Sequence, residues 1–575
     1  MKPKIILIFM IVILIISSLT GCIQESSNVK NTIDNKDDEV DYVIVENGQV
    51  VLPLTPFNTL NPLMTNNLSY YYFSKLIFDG LFELDEKLEP VPNLVDSYNI
   101  SDSGNSITLK LRDDIYWHDG EKFTSKDVFF TINVLNYGKD ETAYGTMPSS
   151  AMGAFYDANK NNSLTASIID DYNIEIKTGN GFSNFLEILT FPIIPEHEFV
   201  IGKGNNYSSA LKLEDYVPIG TGPFKFIKYD KNKSVHLGAN ERYWKGKPDI
   251  DNVVGKIFAD ESLFITAYEA GQLNITPDFN ADWDKYTQNG RSKIMEYISS
   301  DYEFLGFNFS KEIFNNENGD DLRKAIAYGI DRQEIIRKIY LGHATQTDVP
   351  ISPNSFLFAD ESNYYGYNKE LSKKFLETLG YMDKNEDGIV EDAEGKNLTL
   401  RLITNPVNEY RLRVAELIRE DLKEVGIEII LDFDTEIYDH GEMTEEIAEA
   451  QCEQLNNRIY NGDFDIVLLG WQISTIPELS FMFHSSQQNL NNFIKYNNPD
   501  MDSMLEKAFN SYNKEDKLSN YMELQEFIIK ELPYVSLYYR NNALIIDSNI
   551  KGELSPTFFD LYNGLEKCLI VNEIE

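Results

Sequence analysis

Over 575 residues the chain carries a formal net charge of −41, with 51 lysines and arginines against 92 aspartates and glutamates. An acidic balance of that size has the wrong sign for phosphate backbones and excludes nucleic acid as a partner class; it reads as a solvated surface. With 42% hydrophobic and 25% charged residues the body is ordinary globular protein, too long for one hydrophobic core, and several domains are expected.

The chain opens MKPKIILIFMIVILIISSLTGC, in which two lysines precede an apolar run over residues 5–16 and a short stretch of small residues. This is the layout of a secretory signal, and the run is short for a membrane span. Leu19-Thr20-Gly21-Cys22 resembles the lipobox of bacterial lipoproteins, whose cysteine is acylated before the leader is cleaved. The expectation is a signal peptide over 1–21, a lipid such as palmitate on Cys22, and a chain held at the outer face of the cell membrane. Residues 22–41 are polar and charged, which suits a tether. Beyond Cys22 only Cys452 and Cys568 remain, without CxxC spacing, so no zinc cage or redox motif is present and nothing in the spacing places the two together.

After the tether, YYYFSKLIFDGL has the spacing of a short buried helix stopped by Gly80. SITLKLRDDIYW alternates Ile107, Leu109 and Leu111 with polar neighbours, the period of a half-buried strand. WHDGEKFTSKDV follows: Asp119-Gly120 turns the chain, Thr124 and Asp127 form a capping box, and Phe123 with Val128 forms the staple beside it. The stretch is read as a strand–turn–helix joint, and the adjacent His118 and Asp119 as parts of it rather than as an acid–base pair.

From about 210 to 300 the pattern gives a hairpin around PIGTGPFKFIKYD, a strand at DNVVGKIF, a helix over 262–270 closed by Gly271, and a strand at LNITPDF. Gly220-Thr221-Gly222 lacks the third glycine and the following helix of a dinucleotide loop. Between 398 and 471 the order is strand–helix–strand–helix–strand: LTLRLITN, an apolar stripe from Tyr410 to Val425, IEIILDFD, a polar helix over about 436–459, and FDIVLLGW. That order implies a parallel sheet, with ligands expected beyond the carboxyl ends of its strands, where Gly470 and Trp471 sit. Tyr70, Tyr71, Tyr72 and Trp471 are candidates to line a cleft.

No HExxH, GxSxG or Walker loop is present. One stretch, DKNEDGIVEDAE, has calcium-loop spacing at Asp383, Asn385, Asp387, Glu391 and Glu394 with Gly388 at the turn. It reads either as that or as an Asx-rich surface turn, since a strand rather than a helix follows it. No other cofactor is expected.

Taken together, LNPL, LIFDGLFELDEKLEPVPNLVDSYNISDSGNSITLKLRDDIYWHDGEKFTSKDVFF, PIGTGPFKF, NERYWKGKPDIDNV, AYEAGQLNI, LRKAIAYGIDRQEII, VAELIREDLKEVGIEI and DFDIVLLGW closely resemble the extracellular solute-binding proteins of the oligopeptide, dipeptide and nickel family, the receptors of ABC importers. The match runs in family order from about residue 50 to 545. It implies an α/β, type II (cluster C) periplasmic-binding-protein fold. Two hinged lobes carry an inserted domain: lobe I over 42–65, 201–297 and 529–575, the insert over 66–200, and lobe II over 298–528.

The same resemblance implies a monomeric, non-enzymatic receptor that captures peptides and delivers them to an ABC permease. Runner-up readings are a nickel chelate, haem or an oligosaccharide as ligand, or a ligand-sensing receptor. It places the ligand between Gly470, Trp471 and Gln472 on one side, where backbone adds to an extended peptide, and Asn66, Asn67 and Leu68 on the other. Where peptide receptors of this family carry an aspartate for the ligand's ammonium, this chain has Ser474, and Glu478 is the nearby carboxylate.

Overall fold

The computed structural model describes residues 42–45, 48–142, 144–156, 163–201, 204–280, 282–359, 364–433 and 444–573; the leader, Cys22 and the tether lie outside them. No helix among the described residues is long and apolar enough to cross a membrane. Cys452 and Cys568 are both free thiols.

Strand Gln49–Leu54 pairs in parallel with Asn252–Ile257, which continues antiparallel into Ser234–Ala239 and Phe224–Asp230, making a four-stranded sheet. The excursion between its first two strands carries a second, antiparallel four-stranded sheet in the order Val95–Ile100, Ser106–Leu111, Asn173–Lys177, Thr165–Asp170. Helix Ser125–Tyr137 packs against the last of these strands. One continuous apolar core runs through both sheets, from Val50 and Leu52 through Ile107 and Leu109 to Val253. The inserted unit is thus cored together with the lobe that carries it.

The joint before that helix forms as its sequence dictates. Thr124 N donates to Asp127 Oδ2 at 2.8 Å and Lys126 N to Thr124 Oγ1 at 3.3 Å, while Phe123 and Val128 are fully buried. His118 ties the joint to the hairpin of the first sheet: Gly220 N donates to its Nδ1 at 3.2 Å, and its Nε2 donates to Gly222 O at 3.0 Å. That pair of partners requires the neutral ring, and burial pushes its pKa down to about 4.

The second body is organised around parallel strands Glu428–Leu431, Thr399–Thr404 and Ile466–Gln472, connected by helices Glu409–Glu424 and Glu445–Asn461. Val414, Ala415, Ile418 and Leu422 supply the buried face of the first helix, and Asn408 caps it through Arg411 N.

Two long strands join the bodies. Ser292–Phe307 and Tyr534–Asp547 pair antiparallel along nearly their whole length, and their register breaks between Ile298 and Tyr302. On the first-body side Tyr297, Leu544 and Ile546 belong to the first core, and Ala543 and Ile545 to a smaller cluster beside it; on the other side Tyr302, Phe304, Leu305 and Phe307, with Tyr534, Val535 and residues 537–539, belong to the second core. The crossings therefore lie near 298–301 and 540–543. This places the return at about 540, not at 529 as expected: after helix Lys514–Glu531, Leu532 takes a left-handed backbone (φ 50°) and sends the chain into the sheet of the second body for half a strand. Continuous strand alternation across YVSLYYRNNALII hides that position from a sequence reading.

Candidate interlobe binding cleft

Two adjoining hollows open between the bodies, and Thr475 lines both. The first lies over the crossing strands, between Ser299 and Ser300, the segment 350–352, residues 473–475, and Phe558. The second lies between Thr475, the end of helix Leu68–Ser74 with Lys75, residues 78–84, and the C-terminal loop at Phe559 and Asp560.

Strand Ile466–Gln472 supplies one wall. One of its edges is paired throughout with the long strand, Gly470 opposite Glu303, Trp471 opposite Tyr302 and Gln472 opposite Asp301. Its other edge is paired only as far as Leu468, opposite Thr404, so that beyond this point a second edge has no strand partner among the described residues. Such an edge offers backbone donors and acceptors to an extended chain. The side chains around it are anchored: Trp471 packs on Phe304, Phe481 and Phe493. Glycine is needed at 470 because a Cβ there would stand 2.6 Å from Arg411 Nη2 and 2.7 Å from Glu303 Oε1. Those two groups form a bidentate pair at 2.8 and 2.9 Å.

Residues 350–352 are held by a buried knot. Arg332 and Asp348, both 2% exposed, pair at 2.6 Å; Arg332 also donates to Thr347 O and Ser536 O, and Asp348 Oδ2 accepts from Tyr364 N and Tyr365 N. The knot presents Ser352 to the first hollow beside Tyr539, and neither Ser352 Oγ nor the Tyr539 hydroxyl has a hydrogen-bond partner although both residues are buried. Unpaired hydroxyls at such depth are expensive unless a ligand meets them.

The second hollow is charged. Asp79 accepts from Thr221 Oγ1 at 2.8 Å and Asn93 Nδ2 at 3.2 Å, and Glu83 is held by Lys245 at 2.7 and 2.9 Å. Lys75 lies over the rings of Tyr71 and Phe559, with its Nζ 3.9 Å from Asp560 Oδ2. Burial pushes the Asp560 carboxyl up to about 6, against the opposing pull of Lys75.

Of the residues singled out from sequence, Ser474 lines the first hollow, its Oγ accepting from Ile476 N at 3.1 Å. Gly470, Trp471 and Gln472 lead into it along the half-free strand. Glu478 stands elsewhere: its carboxylate accepts from Ser480 N at 2.7 Å and abuts Gly153 of the inserted unit, and burial pushes its pKa up to about 7. Asn66, Asn67 and Leu68 line neither hollow. Asn67 is the cap of helix Leu68–Ser74, accepting from Tyr70 N and donating to Thr55 Oγ1, while Asn66 and Leu68 are exposed. The other end of the same helix, at Tyr71, Ser74 and Lys75, is the part that reaches the cleft.

Of the tyrosine run, Tyr70 and Tyr72 are core residues bonded to Leu60 O and Phe558 O, and Tyr71 faces the second hollow. Lys75, Asp560, Thr475, Ser352 and Tyr539 were not legible from sequence; the local signals nearest to them were the tyrosine run before Lys75 and Ser474 beside Thr475.

In the 383–394 loop, Asp383 Oδ2 accepts from Gly388 N, Asn385 Oδ1 from Asp387 N, Asp387 Oδ1 from Ile389 N, and the buried Glu391 from Lys384 N. Among the described residues, the acidic and histidine ligand atoms that gather within 4.8 Å of one another are those of Asp119, His197 and Glu198, none of which lines either hollow.

Comparison with known proteins places this geometry in context. The model of the bacterial extracellular solute-binding proteins, family 5, matches residues 89–492. The oligopeptide-binding protein AppA of Bacillus subtilis is 26% identical over 559 residues, covering 97% of this chain and 96% of that one. Heme-binding protein A of Haemophilus influenzae is 25% identical, covering 95% and 96%. Among solved structures, the ABC transporter substrate-binding protein CtaP of Listeria monocytogenes superposes with a TM-score of 0.70 at 22% identity, over 91% of this chain and 99% of that one.

Proposed function

Because the chain belongs to the bacterial extracellular solute-binding proteins of family 5, we propose that it captures peptides outside the cell and hands them to the membrane subunits of an ABC importer by hinged closure of its two bodies. The observation that carries this reading is the strand edge beyond Leu468, unpaired on the side away from the long strand and continuing into residues 473–475 at the cleft. An extended peptide completes that edge with backbone hydrogen bonds whatever its side chains are. The unpaired Ser352 and Tyr539 hydroxyls in the same hollow supply further polar contacts. The oligopeptide-binding protein AppA of Bacillus subtilis and the peptide transport protein SapA of Salmonella typhimurium are named for ligands of this class.

The hinge follows from the two crossings, where Ser299 to Asp301 and Arg540 to Asn542 pass from one body to the other without a side chain in any apolar cluster. A ligand that touches both walls favours the bodies' approach by its differential affinity for that state. In this reading the chain works as a monomer, does no chemistry on its ligand, and is tied to the membrane by lipid on Cys22 after removal of residues 1–21.

The test is native mass spectrometry of residues 42–575 purified from cells, followed by denaturation and fragmentation of whatever is released. A ladder of co-purified peptides is expected. A single non-peptide mass, such as a haem or a metal chelate, would overturn the peptide assignment and leave the family assignment intact.

A further inference from the structure

The second hollow has a composition that specifies its occupant. Its lining carboxylates are Asp79, Glu83 and Asp560, and the ammonium groups beside them are Lys75 and Lys245, which leaves it one positive charge short. The carboxylates are unequally satisfied. Lys245 grips Glu83, and Thr221 and Asn93 hold Asp79. Asp560 receives Tyr562 N on Oδ1 at 3.3 Å, and its Oδ2 has Lys75 Nζ at 3.9 Å, beyond hydrogen-bond reach.

A second observation points the same way. Asn93, 3% exposed and lining the hollow, has no donor for its Oδ1. Its amide cannot be reversed to cure this, because Nδ2 already donates to Asp79 Oδ1 and Gly80 O, both acceptors. The hollow therefore presents unfilled acceptors and lacks one cation, the complement of a group that carries several N–H donors and a positive charge.

We propose that this hollow is the ammonium subsite of the ligand, with Asp560 as its counter-ion, taking over from the first body the role that Ser474 on the second cannot perform. The proposal rests on the peptide reading above. The ammonium has two sources in a peptide, the free amino terminus and a lysine side chain, and both present the same chemistry.

The experiment uses pools of synthetic pentapeptides with free or acetylated amino termini, each with and without lysine, equilibrated with wild-type protein, Asp560→Asn and Lys75→Met. Retained peptides are counted by mass spectrometry, and melting curves confirm that each variant is folded. Wild type is expected to favour the free terminus over the acetylated one at least tenfold in the lysine-free pool. Asp560→Asn is expected to erase that preference while still retaining acetylated peptides, and Lys75→Met to increase it, since a competing resident ammonium is gone. If preference returns in the acetylated pool only when lysine is present, the subsite takes either source of ammonium. Peptides retained without preference by wild type, or with preference intact in Asp560→Asn, would overturn the subsite and leave the peptide reading standing. No peptide retained from any pool would overturn the peptide reading, and the subsite with it.

Discussion

Lys517 of the second body places its ammonium on the carboxylate of Glu187 in the inserted unit, and the two side chains are 8% and 1% exposed. Lys517 also donates to Ser183 O at 3.1 Å, so a single buried cation is satisfied only while the two units are docked. Phe155 and Phe182, both packed on Phe509, seal the same contact.

Removing one partner of such a pair leaves the other charge buried and uncompensated, at about 3 kcal/mol. Because Lys517 regains water when the units part, Glu187→Gln shifts the balance toward separation by roughly 100-fold. Small-angle scattering should show a larger radius of gyration for the variant; a curve superimposable on wild type would contradict the latch.

Glu478 makes docking sensitive to pH. Its folded pKa is raised by burial to about 7 from an ordinary 4.5. A raised carboxyl binds more protons in the native state than in the unfolded state between those values, so its contribution to stability falls as pH rises from about 4.5 to 7 and is flat above. Glu478→Gln keeps the shape without the charge. It should match wild type near pH 4.5 and exceed it at pH 7.5 by up to about 3 kcal/mol, read from denaturant midpoints at the two pH values. Equal midpoint differences at both would refute the assignment.

The hydroxyls of Ser352 and Tyr539 separate stability from affinity. Both are buried without partners, and deleting an unpaired buried polar atom relieves its desolvation by about 1 to 3 kcal/mol. Ser352→Ala and Tyr539→Phe are therefore expected to melt no lower than wild type without ligand, and to bind peptide several-fold more weakly by calorimetry. A loss of stability without loss of affinity would assign them to packing alone.

At Gly470 a methyl group collides with the Arg411–Glu303 pair and with Tyr302 O at 2.8 Å, which is backbone and cannot swing aside. Gly470→Ala is expected to destabilise by about 1 to 3 kcal/mol through forced displacement. Peptide affinity should fall with it, because the strand that moves carries the free edge. Chemical denaturation and calorimetry on the same preparation check both.

The Arg332–Asp348 knot is a positioning device for residues 350–352. Asp348→Asn leaves a guanidinium buried without its counter-charge and is expected to cost about 3 to 5 kcal/mol. Urea unfolding measures it, and a change under 1 kcal/mol would show that the backbone carbonyl and carboxylate contacts of Arg332 are not coupled to the fold.

How much of this was legible beforehand depends on whether a residue acts through its neighbours in sequence or across the fold. The helix start at Thr124 and Asp127, the strand–helix order from 399 to 472 and the supporting role of His118 follow from local chemistry: a cap, a period and a turn are each decided within a few residues. The strand end at Gly470 and Trp471 was legible too, because the end of a buried parallel strand is marked by its own apolar run.

Glu478 and Asn67 show the limit. Each has the right residue type near the right place, yet both are consumed by helix-start amides a few residues on, and only the packed arrangement reveals which way their side chains turn. Lys75 and Asp560 are separated by most of the chain and meet only because the C-terminal loop returns to the end of helix Leu68–Ser74. The position of the second crossing near 540 was likewise decided by which core accepted Tyr534 through Tyr539, both cores being apolar and the strand continuous between them. Sequence alone thus determined the elements and the cleft's strand wall, since these depend on local periodicity and chemistry, and its motifs carried the resemblance to the family. Tertiary structure alone decided the second crossing, the latch and the charged hollow, since burial and charge compensation are properties of groups brought together from distant parts of the chain.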